Sequence, residues 1–390
     1  MRGFIFWPGR FTAFFAFKPV ACLLLIVCLF NLAPLPAQAG PPEISAAAAV
    51  LMDAATGRIY YSKNACQRRS PASLTKIMTA VVALEYGRPD DVAVVSRNAA
   101  YTETGSIIDL RAGEKITLEN LLKAALIMSA NDSTVAIAEL VGGSEGRFIE
   151  MMNAKALLLG ALDTHFTNTN GYTDPQHYST ARDLAVITRY ALQNPVFNRL
   201  VRTREATVYF YGSKRAEKIA NTNRLLRGNG YPGIDGVKTG STPHAGRCLI
   251  ASATRDGRRL IAVVLHCADR YRDAAALLDY GFTQVVPVTL CRKGEVAGEL
   301  PVRSGMEASV PVVYGRTVAV DLVLDRAHRV SGESRLIPAP EAPVRAGGRA
   351  GEMIFRLDGE ELARVELVAA RDVPRNTWFN RVKKNVFGRP

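Results

Sequence analysis

Acidic residues, histidine and cysteine are all scarce in this chain. Its 390 residues include 36 Asp and Glu against 49 Lys and Arg, with 5 His and 6 Cys, for a formal charge of +13. No Cys-x-x-Cys or His-rich spacing indicates a metal site, so we expect neither metal nor cofactor. The basic residues are not accompanied by an aromatic-basic RNA-binding motif or a phosphate loop, which argues against a nucleic-acid partner. An anionic membrane surface, an acidic polymer or a generally basic soluble protein all remain open.

Long apolar runs are missing beyond the first residues of the chain. The apolar run from Val20 to Phe30 follows basic residues up to Lys18 and precedes Ala37-Gln38-Ala39. This order of basic, apolar and small residues is typical of a secretory signal peptide with its cleavage site. The run is also shorter than the roughly 20 residues that a membrane-spanning helix needs. We predict that residues 1–39 are a signal peptide and that the mature protein lies outside the cytoplasm, with an uncleaved anchor as the alternative.

Four cysteines lie beyond this segment, too few for a disulfide framework. They are Cys66, Cys248, Cys267 and Cys291. Export would permit disulfides. Cys248 and Cys267 flank a predicted hairpin turn, so their geometry allows pairing. Free buried thiols are the alternative.

Turn residues and hydrophobic periodicity predict strands on both sides of a helical region. The predicted strands are 47–53, 58–62, 246–253 and 259–265, and the predicted helical stretches are 118–141, 146–159, 181–192 and 272–280. A further helix is predicted to end at Gly87, with Ser70 as its N-cap and Pro71 in its first position.

The pattern of residues in the sequence changes from about Val285. Short β-prone segments at 310–314, 317–324 and 361–368 are separated by Gly, Pro and charged turns. Helical periodicity disappears here. We therefore predict a small β-rich domain over residues 286–373, with a spacer or docking role.

Residues 374–390 have the composition of a basic amphipathic helix. On a helix, one face would carry Trp378, Phe379, Val382 and Val386, and Arg381 and Lys384 would lie opposite. Such a helix suits the interface of an anionic membrane. A packing helix or a frayed tail is the alternative.

One short segment, Ser73-Leu74-Thr75-Lys76, offers a hydroxyl nucleophile with an amine three residues away. A serine hydroxyl is a weak nucleophile at neutral pH and needs a base within hydrogen-bond reach. On a helix, residues i and i+3 share a face, so the two side chains can meet. Lys76 can act as a base only when neutral, and burial beside a second cation such as Lys238 would favour that form.

Two further segments complete the pattern. Ser129 of Ser129-Ala130-Asn131 could shuttle a proton to a leaving amine, and Asn131 could hold a substrate amide and orient Lys76. Lys238-Thr239-Gly240 precedes strong strand signals, where an edge strand can pair with a peptide. Lys238 and Thr239 would offer a cation and a hydroxyl to a substrate carboxylate.

These segments and their surroundings resemble the serine-type D-alanyl-D-alanine carboxypeptidases, which are low-molecular-mass penicillin-binding proteins. The similar stretches are 71–79, 177–181, 235–240, 245–246, 248–249 and 277–282. The resemblance covers roughly residues 45–285 and assigns residues 40–285 to the catalytic domain. It implies an α/β (α+β) fold of the penicillin-binding and β-lactamase type, with an antiparallel sheet, an inserted helical cluster and the small β-rich domain behind it.

The resemblance also implies a reaction. Ser73 would attack the carbonyl between two D-alanines of a peptidoglycan stem peptide, and β-lactam antibiotics would inhibit the protein. The oxyanion hole would be the backbone N–H groups of Ser73 and Ser241. Gly240 would let the substrate approach, and Arg270 would bind its carboxylate, with Arg272 a close second.

Two positions depart from the family pattern, and three other functions remain open. Ser241 stands where relatives often carry His or Tyr, and Asn170 stands where a His is common. A peptidoglycan endopeptidase would use the same residues. A β-lactamase would need a deacylating carboxylate, for which no Glu-x-x-Leu-Asn pattern is found after Ser129. A non-catalytic wall-binding or penicillin-sensing protein is the third alternative.

Overall fold

The computed structural model describes residues 40–102, 104–228 and 230–387, with side chains described to residue 382. The predicted signal peptide, residues 1–39, lies outside the described residues. Within them, no helix is both long enough and apolar enough to cross a membrane.

The described chain alternates helices and strands and then continues almost entirely in strands. Strands β1 to β16 are Ala48–Asp53, Ile59–Lys63, Val92–Val94, Lys115–Thr117, Glu205–Tyr209, Ala216–Ala220, Ile234–Thr242, Gly246–Arg255, Arg258–Cys267, Val285–Cys291, Val296–Pro301, Ser309–Tyr314, Val318–Val323, Val330–Leu336, Arg349–Leu357 and Glu360–Ala369. Helices α1 to α9 are Lys76–Tyr86, Arg97–Ala100, Leu118–Lys123, Asp132–Gly142, Glu145–Leu158, Ala181–Ala191, Pro195–Arg202, Arg270–Gln284 and Trp378–Phe387. Short 3-10 turns are Ala72–Thr75, Arg224–Leu226 and Leu324–Arg329, and Ala124–Met128 is a π-turn.

A five-stranded antiparallel sheet of order β2-β1-β9-β8-β7 forms the centre of the first part. Successive side chains of a strand point to opposite faces, and here both faces are covered. Val50 and Ile250 belong to the core shared with the inserted helices, whereas Leu51 and Ala251 belong to the core shared with α8. In the sequence, helices α1 to α7 lie between β2 and β7, so they form an insertion between two strands of this sheet.

Helix α1 is buried along most of its length, from Lys76 to Ala83. A helix that is apolar nearly all round belongs inside the protein. The helix ends at Tyr86 with Gly87 as its C-cap, as predicted. Its start differs, because Pro71 precedes a 3-10 turn and the Ser70 hydroxyl has no hydrogen-bond partner among the described residues. The prediction that Ser70 caps this helix is wrong.

The predicted helical stretch 118–141 is interrupted in its middle. Helix α3 ends at Lys123, a π-turn follows, and Ser129 adopts a left-handed conformation with φ of 71°. Helix α4 then begins at Asp132. Ser and Asn side chains can form hydrogen bonds with the nearby backbone in place of helical ones. The free-energy cost of interrupting the helix at Ser129-Ala130-Asn131 is therefore small.

The cysteines of the described residues, Cys66 among them, are all free thiols. Cys267 pairs in register with Arg247, and Cys248 belongs to the core on the opposite face of the sheet from Cys267. The disulfide considered between Cys248 and Cys267 is therefore not formed.

The strands after α8 build a separate core. Strand β10 follows α8 directly and pairs with β13, and a second five-stranded sheet has the order β11-β12-β16-β15-β14. The described residues from Pro41 onward form one compact unit, and the two parts share hydrogen bonds. For example, Arg58 Nη1 donates to the Asp321 carbonyl (3.0 Å), and Arg258 Nη1 donates to the Val285 carbonyl (3.1 Å).

The last helix, α9, leaves its large apolar side chains in solvent. Trp378 is 77% exposed and Phe379 is 69% exposed. These two side chains therefore do not pack into the β-rich core, which argues against the packing-helix alternative.

Candidate active site

The candidate nucleophile lies on the 3-10 turn between β2 and α1. Ala72 has a φ of +49°, a conformation that few non-glycine residues adopt, and Ser73 follows it. Two glycines pack against this turn. A Cβ on Gly171 would lie 1.9 Å from the Ala72 carbonyl oxygen, and one on Gly240 would lie 3.1 Å from the Ser73 nitrogen. The backbones of a loop and of β7 thus approach the nucleophile as closely as glycine allows.

Lys76 begins α1 and is completely buried. Its Nζ donates to Ser73 Oγ (3.1 Å), to Asn131 Oδ1 (2.7 Å) and to the Asn170 carbonyl (2.9 Å). Burial lowers its pKa well below the usual value, and the charge of Lys238 lowers it further, while Asp132 opposes them. A neutral amine beside a serine hydroxyl can accept its proton.

Ser129 and Asn131 occupy the break between the π-turn and α4. Asn131 is buried, and its Nδ2 donates to the Thr104 carbonyl (2.6 Å). Its backbone N–H donates to the Ser106 carbonyl (2.7 Å). The left-handed conformation of Ser129 places this residue on the wall of the cleft.

Lys238 and Thr239 lie on β7, the edge strand of the sheet. Lys238 is 1% exposed, and burial followed by the charge of Arg270 lowers its pKa to about 7. Thr239 Oγ1 lies 2.6 Å from Thr222 Oγ1. A hydroxyl and a titratable amine therefore stand side by side at the sheet edge.

Arg270, rather than Arg272, faces this edge. It is the first residue of α8, and its Nη1 donates to Ser241 Oγ (2.9 Å) and to the carbonyls of Gly240 (3.0 Å) and Cys248 (3.2 Å). Arg270 also lines the cleft, whereas Arg272 is not among its described lining residues. This geometry favours Arg270 over Arg272 as a carboxylate ligand.

The predicted residues converge on one cleft of about 780 Å³. The residues that were predicted for the site and that line this cleft are Ser73, Ser129, Asn131, Thr239, Gly240, Ser241 and Arg270. Lys76 and Lys238 are buried behind this wall. Within the described part of the chain, no group of three or more His, Cys, Asp or Glu residues could hold a metal ion.

Other lining residues were missed by the sequence analysis. They are Thr104, Gly105, Ser106, Met128, Asn170, Gly171, Tyr172, Thr173, Thr222, Thr242 and Pro243, and none of them except Asn170 has a distinctive place in the sequence pattern. They come mainly from loops without a catalytic motif. Gly105 and Gly171 are the two glycines among them, and their φ values of +83° and +95° show that the chain turns tightly at both.

A serine beside a buried amine, at the edge of an antiparallel sheet and near cationic and hydroxyl groups that can bind a carboxylate, is an arrangement typical of acyl-transfer hydrolases. A family model described as D-alanyl-D-alanine carboxypeptidase matches residues 36–269, and one described as the C-terminal domain of penicillin-binding protein 5 matches residues 287–375. The chain belongs to the family of serine-type D-alanyl-D-alanine carboxypeptidases, the low-molecular-mass penicillin-binding proteins.

Relatives match along most of the chain. The D-alanyl-D-alanine carboxypeptidase DacF of Bacillus subtilis is 33% identical over 353 residues, which cover 87% of this chain and 89% of the relative. The crystal structure of the carboxypeptidase DacD from Francisella tularensis has a TM-score of 0.69 at 28% identity, covering 89% of this chain and 98% of that one. Penicillin-binding protein 5 from Haemophilus influenzae has a TM-score of 0.64 at 29% identity, covering 86% and 100%. The fold predicted from the sequence is thereby confirmed.

Proposed function

We propose that this protein removes the terminal D-alanine from peptidoglycan stem peptides through an acyl-enzyme on Ser73. The observation that carries the proposal is the 3.1 Å contact between Ser73 Oγ and the buried Nζ of Lys76. Because burial and Lys238 lower the pKa of Lys76, its amine is suited to accept the serine proton.

In the first step, Ser73 Oγ attacks the carbonyl of the penultimate D-alanine and transfers its proton to Lys76. The C–N bond breaks as the proton held by Lys76 passes through the Ser129 hydroxyl to the departing D-alanine amine, which leaves Lys76 neutral again. Water then attacks the Ser73 ester, one of its protons passes by way of Lys76 to Ser73 Oγ, and the shortened peptide is released with a new terminal carboxyl group. The backbone N–H groups of Ser73 and Ser241 would stabilise the oxyanion in both steps. Support for this comes from Gly240, whose strand approaches the Ser73 nitrogen closely.

The free carboxylate of the terminal D-alanine would be held by Lys238, Thr239 and Arg270. A carboxylate at this position favours the protonated form of Lys238, whose pKa in the free protein is about 7. Binding of the substrate would therefore help to keep Lys238 charged. The same residues would hold the carboxylate of a β-lactam, which would acylate Ser73 and inhibit the protein.

The alternatives from the sequence gain no support from this geometry. None of the described residues that line the cleft is Asp or Glu, so a deacylating carboxylate of the kind expected for a β-lactamase is not found there. An endopeptidase would use the same groups and differs only in the amine that leaves.

We further propose that the protein acts outside the cytoplasm, exported by residues 1–39. Residues 374–390 would hold it at the anionic surface of the membrane. The exposed Trp378 and Phe379 of α9 support this attachment.

Release of D-alanine from a pentapeptide ending in D-Ala-D-Ala tests the reaction. We expect turnover by the wild type and at least a thousandfold loss in Ser73→Ala. Ser70→Ala is a matched control three residues away, since its buried hydroxyl has no partner among the described residues. Undiminished turnover by Ser73→Ala would contradict the proposal. Faster cleavage of cross-linked stem peptides than of the pentapeptide would favour the endopeptidase.

A further inference from the structure

The amine of Lys76 has two fixed acceptors besides Ser73, and they come from distant parts of the chain. Asn131 Oδ1 accepts at 2.7 Å from the start of α4, and the Asn170 carbonyl accepts at 2.9 Å from the loop 168–173. These two acceptors determine the direction of the amine, because together with Ser73 they use all three of its hydrogens when it is protonated. What holds the two acceptors in place therefore matters for the chemistry.

The Asn131 side chain is fixed by the carbonyl of Thr104. Asn131 Nδ2 donates to this oxygen at 2.6 Å, which directs Oδ1 toward Lys76. A Cβ on the neighbouring Gly105 would lie 2.7 Å from Nδ2, so the loop lies tightly against the amide. The Tyr172 hydroxyl donates to the same Thr104 carbonyl at 2.5 Å. One carbonyl thus receives hydrogen bonds from both sides of the cleft.

The loop that carries Tyr172 is the one that supplies the Asn170 carbonyl. Asn168 Oδ1 accepts from the backbone N–H groups of Gly171 (2.8 Å) and Tyr172 (3.0 Å). Asn170 Oδ1 also accepts from the Tyr172 N–H (3.0 Å). Tyr172 and the Asn170 carbonyl are therefore held in a fixed relation within the same short loop.

We propose that Tyr172 is a positioning residue for the general base. Its hydroxyl closes a ring of contacts. Lys76 donates to Asn131, and Asn131 and Tyr172 both donate to the Thr104 carbonyl. The loop then leads from Tyr172 to the Asn170 carbonyl, which accepts from Lys76. The ring holds both acceptors of the Lys76 amine at once. This inference rests on the proposed role of Lys76 as the base for Ser73.

The rate at which a penicillin acylates the protein, followed across pH, tests the ring. Tyr172→Phe removes only the hydroxyl, and Tyr209→Phe is a matched control on a tyrosine that is 59% exposed. We expect the plateau rate of Tyr172→Phe to fall about five- to tenfold, the effect of one hydrogen bond.

We also expect the acid limb of the profile to move to lower pH. Protonated Lys76 donates to Asn131, so a loosened acceptor stabilises the charged form less and lowers its pKa. The charged groups that act on Lys76 from the neighbouring elements, Lys238 on β7 and Asp132 on α4, are unchanged in both variants. A merely structural loss would lower the melting temperature without moving the limb.

A Tyr172→Phe profile identical to that of Tyr209→Phe would overturn the inference, and so would a slower rate with an unmoved limb. Ser73→Ala, run in parallel, separates this failure from that of the proposed function. Acylation of Ser73→Ala would reject the proposed function itself. An inert Ser73→Ala beside an unaffected Tyr172→Phe would reject only the ring.

Discussion

At the scale of single residues, the proposed chemistry depends on two lysines with different tasks in one buried site. Lys76 is 0% exposed and Lys238 is 1% exposed. Burial lowers the pKa of each, and the charge of Lys238 acts on Lys76 in addition. The arrangement favours a neutral Lys76 as the base for Ser73 and a Lys238 that is charged when a carboxylate binds.

The KM for the pentapeptide should depend on the protonation of Lys238. Its pKa is about 7, so the free protein loses this cation as pH rises from 6 to 8. We expect KM to increase about tenfold over this interval, the order of one charge-assisted hydrogen bond.

Lys238→Arg provides the control, because arginine keeps its proton throughout the interval. Whatever its absolute activity, this variant should show a KM that is flat between pH 6 and pH 8. A wild-type rise in KM that persists unchanged in Lys238→Arg would assign the titration to another group.

At the scale of elements, the site forms where three backbone segments meet. The 3-10 turn with Ser73 is enclosed by the loop 168–173 on one side and by β7 on the other, with Gly171 and Gly240 at the closest approaches. The turn carries a left-handed Ala72, and its neighbours fix it in this conformation. Packing between elements, rather than the turn alone, therefore positions the nucleophile.

Gly171→Ala should disrupt this packing. The new Cβ would lie 1.9 Å from the Ala72 carbonyl oxygen, at a position whose φ is +95°. We expect the free energy of unfolding to fall by about 3 kcal/mol or more in urea denaturation, with loss of acylation in any folded fraction.

Gly160→Ala is the matched control for backbone conformation. It has a φ of +75°, and no atom from the described part of the chain lies within 4 Å of its Cβ position. This substitution should lower the free energy of unfolding by only about 1 kcal/mol, which is the usual effect of placing alanine in a left-handed conformation. Equal losses in the two variants would show that the contact with the Ser73 turn contributes nothing.

The elements that could be predicted from the sequence are those with strong local signals. The central strands lie within two residues of their predicted bounds, and α1 ends at Gly87 as its glycine indicated. The break at Ser129 was not predicted within the stretch 118–141, because a left-handed serine after a π-turn has no distinct sequence signal. Likewise, Ser70 resembles an N-cap locally, yet packing imposes a 3-10 turn after Pro71.

The residues of the candidate site that lie in sequence motifs could be predicted. The residues that loops contribute to the cleft could not. Ser73, Lys76 and Lys238 stand in recognisable patterns, and the structure brings them together. Tyr172 and Thr104 lie 68 residues apart in the chain and meet only in three dimensions. No local pattern marks such a contact. The catalytic roles and the domain boundaries drawn from the sequence stay predictions.

At the scale of the whole molecule, a catalytic part and a β-rich part form one unit that ends in a basic helix. Trp378, Phe379 and Val382 are exposed on α9, and residues 374–390 contain five basic residues and no acidic one. Apolar side chains combined with basic ones bind anionic membrane surfaces. The end of the β-rich part is therefore the proposed point of attachment.

The double variant Trp378→Ser/Phe379→Ser should lose affinity for anionic vesicles at least tenfold, because two large apolar side chains no longer enter the interface. Vesicle co-sedimentation measures this. Leu157→Ser/Leu158→Ser removes two apolar side chains that are 66% and 79% exposed at the end of α5, and it should bind as the wild type does. Equal losses in the two double variants would show that attachment is not specific to α9.

The most direct test of the central claim is to incubate the purified protein with a fluorescent penicillin and to map the labelled peptide by mass spectrometry. We predict one label on Ser73, absent from Ser73→Ala and present in Ser70→Ala. Label on a different residue, or a folded wild-type protein that takes up no label, would contradict the assignment of Ser73 as the nucleophile.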